Sequence, residues 1–128
     1  MNITTPARVL VVDGNASLGG VLAELLADEP GFDLAGCAVS GAQAMRLARE
    51  TCVDVALIDE RLDDALGTHV LEGLRRLCPD AVLLVWSYDA VHTVVENADG
   101  VLQRGMTFRE LVRAVRAVVR ERRSASVV

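Results

Sequence analysis

Asp13, Asp59, Ser87 and Arg104 each stand at or just beyond the end of a short apolar run in this 128-residue chain. Two carboxylates, a hydroxyl and a guanidinium gathered at one crevice can do phosphoryl chemistry. Hard cations such as Mg²⁺ take carboxylate and carbonyl oxygens. A carboxylate beside such a cation can attack a phosphoryl donor. A hydroxyl and a basic side chain can then hold the transferred oxygens. Singly, each residue has a plainer use, since an Asp after a strand is often a helix cap. The four together, each at the end of a different run, are harder to assign to capping.

Positioning them requires the elements in between. Residues 8–13, 54–59 and 81–87 are nearly all apolar, while 33–39 and 100–103 are weaker strand candidates. Strands apolar throughout are buried on both faces, as in parallel sheets covered by helices. Between them run amphipathic stretches. Leu18, Val21, Leu22, Leu25 and Leu26 make one helical stripe, ended by Pro30 and Gly31. Ser40 and Gln43 form a capping box before a second helix, and Thr107 and Glu110 another before the last. A third helix runs through Val70, Leu71, Leu74 and Cys78 to Pro79, and a short, poorly patterned one is expected over Tyr88 to Ala98. Phe108, Leu111, Val112, Val115 and Val119 stripe the last helix. The expected fold is α/β, a doubly wound five-stranded parallel sheet of order 2-1-3-4-5, flavodoxin-like. In such sheets the crevice lies beyond the carboxyl ends of the strands, which is where the four residues fall.

One domain is expected over 1–128, with its core at about 7–123 and a tail or linker start at 124–128. Hydrophobic residues make up 52% of the chain and aromatics 3%, so Val, Leu and Ala must build the core. The chain has no stretch of membrane-span length and no signal-peptide pattern. Cys37, Cys52 and Cys78 are read as buried free thiols, which points to a reducing cytoplasm. A net charge of −5 argues against direct contact with nucleic acid. Arginines crowd the last helix, as either a solvated face or a partner surface. A homodimer is expected through that helix, where Ala114, Ala117 and Val118 flank the buried stripe.

The chain resembles the receiver domains of two-component response regulators over about residues 7–123. "VLVVDGN" is similar to the family's first strand and acidic pair, and "VDVALIDERLDDALG" to its phosphoacceptor strand and loop. "AVLLVWS" is similar to the fourth strand with its switch hydroxyl, and "DGVLQRGMTFRELVRAVRAV" to the fifth strand and last helix. The wording is nearest to NarL-type regulators, which carry a C-terminal DNA-binding domain. The resemblance implies Asp59 as phosphoacceptor, Asp13 and Asp59 as metal ligands, Ser87 as switch hydroxyl and Arg104 in the place of the family's lysine. It implies a sensor histidine kinase as partner, and DNA only through a further C-terminal domain.

The departures from the family pattern are specific. Gly14 stands where a second metal-binding acid belongs. Arg61 stands where a backbone carbonyl would meet the metal, Asp63 replaces a proline, and Val101 replaces an aromatic. The stretch from Ser87 to Arg104 is short, which clips the fourth helix. Weak Mg²⁺ binding is the consequence. With Gly14 leaving space, Arg104 is expected to reach Asp59, or failing that Asp13, as a forked ion pair. Two readings stay open: an atypical signalling and dimerisation module with impaired phosphorylation, and a conventional receiver phosphorylated on Asp59. Neither is an enzyme in its own right.

Other classes are weaker. The glycines from Gly14 to Gly20 faintly echo a phosphate-binding loop but lack its Lys and Ser/Thr. Nothing orients Ser87, Asp89 and His92 as a hydrolase. No His/Cys cluster has zinc spacing, and His69 and His92 are read as exposed helix residues.

Overall fold

The computed structural model of the chain describes residues 5–64, 67–93 and 95–125. The elements run β1 (Ala7–Val12), α1 (Ala16–Ala27), β2 (Phe32–Ala38), α2 (Gly41–Glu50), β3 (Val55–Asp59), α3 (Gly67–Leu77), β4 (Val82–Ser87), β5 (Gly100–Gln103) and α4 (Phe108–Ala125). The strands form one sheet in the order β2-β1-β3-β4-β5, and every pairing is parallel. This is the doubly wound, flavodoxin-like arrangement expected from the alternating pattern.

The sheet is apolar on both faces. Successive strand side chains point to opposite sides, so Val9, Val11, Leu57, Leu84 and Trp86 face α1 and α4. Leu10, Val12, Ile58, Leu83 and Val85 face α2 and α3. Fully burying one such side chain is worth about 1.5–3 kcal/mol, so a sheet covered on both faces holds its strand ends firmly. Local bonds set the helix starts. Asn15 caps α1 by accepting from the Leu18 N–H, and Ser40 Oγ accepts from the Gln43 N–H at 3.1 Å. Gln43 Oε1 in turn accepts from the Val39 N–H. Thr107 and Glu110 complete a reciprocal box at α4.

Four expectations are corrected. No helix forms over the described residues between Tyr88 and Ala98; Val94, within that stretch, lies outside the described residues. Turns replace the helix, and side chains take carbonyls it would use: Gln103 Nε2 donates to the Tyr88 carbonyl and the Thr93 hydroxyl to the Asp89 carbonyl. Asn97 adopts φ 70°, which helices exclude.

The apolar stripe of α1 is only partly its buried face: Leu26 is buried and Leu22 packs on the core, but the other three are not. Gly19, Ala23 and Leu26 face the sheet, while Leu18, Val21 and Leu25 are 56%, 56% and 45% exposed. The cause is close approach. A Cβ on Gly19 would stand 3.2 Å from Asp13 Cβ and 3.4 Å from Cys37 Sγ. Gly19 and Ala23 therefore turn inward beside Leu26, with Leu22 packed at the margin of the core, and Leu18, Val21 and Leu25 turn outward.

Cys52 is exposed, and Cys37 and Cys78 are half-buried; all three are free. Helix α4 continues through Ser124 and Ala125, which the sequence assigns to a tail; residues 126–128 lie outside the described residues. Among the described residues no helix is long and apolar enough to cross a membrane.

Candidate functional site

The parallel sheet brings all four singled-out residues to one edge. Asp13 follows β1, Asp59 ends β3, Ser87 ends β4 and Arg104 follows β5. Asp59 lies in register with Trp86, and Ser87 with Gln103. The Arg104 N–H donates to the Ser87 carbonyl at 2.8 Å, continuing the ladder one residue past β5.

Arg104 joins the two acids. Its Nη2 donates to Asp13 Oδ2 at 3.2 Å and stands 3.2 Å from Asp59 Oδ1. Sequence reasoning offered Asp59 with Asp13 as the fallback; the structure pairs the guanidinium with both. Asp13 is 3% exposed. Burial of the guanidinium works against its charge, but the carboxylates of Asp13 and Asp59 outweigh it and hold the Arg104 pKa above its ordinary value. The rings of Trp86 and Tyr88 both lie against the guanidinium, each centroid 5.5 Å from Cζ. This aromatic support was missed in the sequence. The signal was present, because residues 86 and 88 share a side in extended backbone and the parallel neighbour strand brings 104 beside them.

The remaining acceptor capacity is partly met by backbone. Asp13 Oδ1 accepts from the Asn15 N–H at 2.9 Å. Asp59 accepts from the Gly14 and Arg61 N–H groups at 3.4 and 3.3 Å. Arg61 thus meets Asp59 through its backbone; among the described residues its guanidinium forms no ion pair with either acid. A Cβ on Gly67 would collide with the Asp59 carbonyl oxygen, which requires glycine where the loop returns to α3.

Ser87 is 1% exposed and committed. The Thr93 hydroxyl donates its single proton to the Asp89 carbonyl at 2.6 Å. Ser87 must therefore be the donor in the 3.0 Å Ser87–Thr93 contact, while its oxygen accepts from the Asp89 N–H. His92 pairs with Asp89 at 2.8 Å on the exposed surface and does not contact Ser87 in any hydrogen bond among the described residues. The hydrolase reading therefore has no assembled nucleophile and base. His92 is exposed, as expected, but in a turn. Gly19 serves close packing, not a phosphate loop.

The two carboxylates do not by themselves complete a site for a hard divalent cation. Such a site needs several oxygens converging on one point. Two carboxylates converge here on a guanidinium nitrogen, and the third acid position is Gly14. Among the described residues no group of three or more His, Cys, Asp or Glu side chains could hold a metal ion.

No family model matches the chain. It is 32% identical over 116 residues to the response regulator GacA of Pseudomonas viridiflava, an alignment covering 87% of this chain and 54% of that protein. The chain spans about half the length, or less, of the curated relatives it matches. Among solved structures it superposes with TM-score 0.81 on a CheY-like receiver domain protein of Methanospirillum hungatei JF-1, at 20% identity, covering 94% of this chain and 98% of the other. A response regulator protein from Burkholderia pseudomallei, solved with a phosphorylated aspartic acid, a calcium ion and citrate, matches with TM-score 0.75 at 25% identity, covering 94% of this chain and 73% of the other. The sheet order, the acids at the strand ends and these likenesses agree: the chain belongs to the receiver domains of the two-component response regulators.

Proposed function

We propose that this receiver is an atypical one, in which aspartyl phosphorylation at Asp59 is impaired and Arg104 supplies the positive charge between the acids. The observation that carries this reading is the single Arg104 Nη2 placed 3.2 Å from both Asp13 and Asp59. Two facing carboxylates repel, and a cation must relieve this. A permanently charged fork does so without a metal. It also occupies an oxygen of Asp59, making that carboxylate a poorer nucleophile. Ser87, the proposed switch hydroxyl, is held by Thr93 and Asp89, so its proton is not free to meet a phosphoryl oxygen. Mg²⁺ binding is proposed to be weak for the same reasons.

The test is intact mass after incubation with acetyl phosphate and Mg²⁺. The wild-type chain is expected to gain no phosphoryl group. A stoichiometric gain, absent in Asp59→Asn, would return the chain to the conventional reading, with a sensor histidine kinase as donor.

We further propose a cytoplasmic signalling module that contacts no nucleic acid itself and acts on DNA only through a C-terminal output domain of a longer protein. The net charge of −5 supports the first part. A second copy of the chain is the proposed partner of α4. The support is charge: Arg109, Arg113 and Arg120 are exposed on α4, Glu24 is exposed on α1 and Asp28 at its C-cap. Ala114 and Val118, which sequence reasoning assigned to that surface, pack on the chain's own core instead. A monomer by light scattering at high concentration, at low ionic strength, would end the dimer proposal.

A further inference from the structure

Two of the three cysteines stand together at the end of the sheet opposite Asp59. Cys52 lies in the connection from α2 to β3, and Cys78 directly follows α3. Both line one open cavity of about 510 Å³, with Val53 and Pro79. Cys37 lies on β2 and packs on the core of the other sheet face.

The backbones that carry the pair are fixed. Arg8 Nε donates to the Cys52 carbonyl at 3.2 Å, and Arg8 Nη2 to the Thr51 hydroxyl at 2.9 Å. The Cys78 N–H donates to the Leu74 carbonyl at 2.7 Å, and its carbonyl accepts from the Ala81 N–H at 3.1 Å. The two connections are joined where the Val82 N–H donates to the Asp54 carbonyl at 2.8 Å. Burial pushes the Cys78 thiol up, while the Val53 amide, which lies against its sulfur, pulls the other way. That amide is bonded to the Cys52 carbonyl carbon, so the Cys78 sulfur stands within one peptide unit of Cys52. This is the scale on which a disulfide is built, with Cα atoms roughly 4.4–6.8 Å apart.

We propose that Cys52 and Cys78 form a dithiol site for hydroperoxides, which closes into a disulfide when oxidised. Cys52 is exposed and is the thiol that a dissolved peroxide reaches. Its thiolate attacks one peroxide oxygen and the O–O bond breaks. Cys52 becomes a sulfenic acid, and the other oxygen takes a proton and leaves as water. The half-buried Cys78 sulfur then attacks the sulfenic sulfur. The S–O bond breaks, and the hydroxyl leaves as a second water with the Cys78 proton. Two thiols have lost two electrons and one hydrogen peroxide has gained them. The new bond closes a loop over residues 52–78, which carries β3, Asp59 and α3. Such a closure constrains the unfolded chain and pins the α2–β3 connection to the end of α3. The chemistry uses neither Arg104 nor a phosphoryl group, so it stands or falls apart from the receiver reading.

The experiment treats the reduced intact chain with a small excess of hydrogen peroxide at about pH 8, where thiolate is available. Remaining thiols are capped with N-ethylmaleimide in denaturant, and intact mass is read. The expected product is a monomer lighter by two hydrogens that takes one maleimide, against three for the untreated chain. Peptide mapping should join Cys52 to Cys78. The oxidised monomer should melt roughly 5 °C or more above the reduced one, and a reductant should reverse both changes. Cys52→Ser alters an exposed position and should fold as the wild type does, yet lose the bridge and the melting shift; Cys37→Ser should keep both. In Cys78→Ala the Cys52 sulfenic acid has no thiol to resolve it and should be trapped by dimedone. The proposal is overturned if the treated chain still takes three maleimides, if the bridge joins Cys37 or a second copy, or if Cys52→Ser forms a bridge as the wild type does.

Discussion

The Gly14 amide points at Asp59, with its nitrogen 3.4 Å from Oδ2, and a Cβ placed on Gly14 would lie 3.8 Å from that same oxygen. Ordinary van der Waals contact of this kind leaves room for a side chain. Gly14→Asp should therefore fold normally and restore a third carboxylate at the strand ends. The expected outcome is Mg²⁺ affinity raised roughly tenfold in a calorimetric titration. Combined with Arg104→Lys, which replaces the fork by a point charge, it should also permit a phosphoryl gain by intact mass. An unchanged titration, with no mass gain in the double variant, would show that the guanidinium clamp does not hold the site closed.

Removing the clamp should expose what it neutralises. Arg104→Met leaves Asp13 and Asp59 facing each other with little solvent. Loss of one partner from a mostly buried ion pair costs about 3 kcal/mol or more, so urea unfolding at neutral pH should shift by that order. Adding Asp13→Asn should recover part of the loss, because one of the repelling charges is then gone. If Arg104→Met unfolds like the wild type, the acids were not held by the guanidinium.

Asp99 does by tertiary bonds what a fourth crossover helix would do by packing. Its carboxylate accepts from the Leu83 N–H at 2.8 Å, from Arg75 at 3.0 Å and from Arg122 at 2.6 Å. It thereby ties the approach to β5 onto β4, α3 and α4. Asp99→Ala should cost about 2–3 kcal/mol, since an inner-strand amide and a partly buried arginine lose their acceptor. Amide hydrogen exchange should rise first at Leu83 and β5, and an unchanged exchange pattern would contradict this role.

Acid should act through the start of α2. Asp64 accepts from the Gly41 and Ala42 N–H groups at 2.8 and 3.0 Å, and these two bonds hold its carboxyl below the ordinary carboxylate range. A lowered folded-state pKa gives stability that is present above the unfolded value, about 3.9, and is lost as pH falls through the folded one. In Asp64→Asn the melting temperature should therefore fall less steeply on acidification from roughly pH 5 to pH 3. Equal slopes in the two proteins would remove Asp64 from the account of acid sensitivity.

The strands, their parallel pairing and the crevice at their carboxyl ends could be read from the sequence by itself. A strand covered on both faces must be apolar along its whole length, and residues 55–58 and 82–86 carry that requirement openly. The acids and hydroxyl that close such runs then stand out as the first residues free of it. Caps at Asn15, Ser40 and Thr107 are local, within three residues of the amides they serve, and the last two carry the capping-box spacing in the sequence. Three features were decided by tertiary structure. The face that α1 buries depends on how closely Gly19 can approach Asp13 and Cys37, which no helical period records. The turns after β4 depend on Gln103, which accepts from the Ala90 N–H and donates to the Tyr88 carbonyl from the neighbouring strand. The double pairing of Arg104 depends on β1, β3 and β5 ending on one side of the sheet, with Arg104 reaching past β4, because Asp13 and Asp59 are 91 and 45 residues away from it along the chain and become neighbours only through the sheet order.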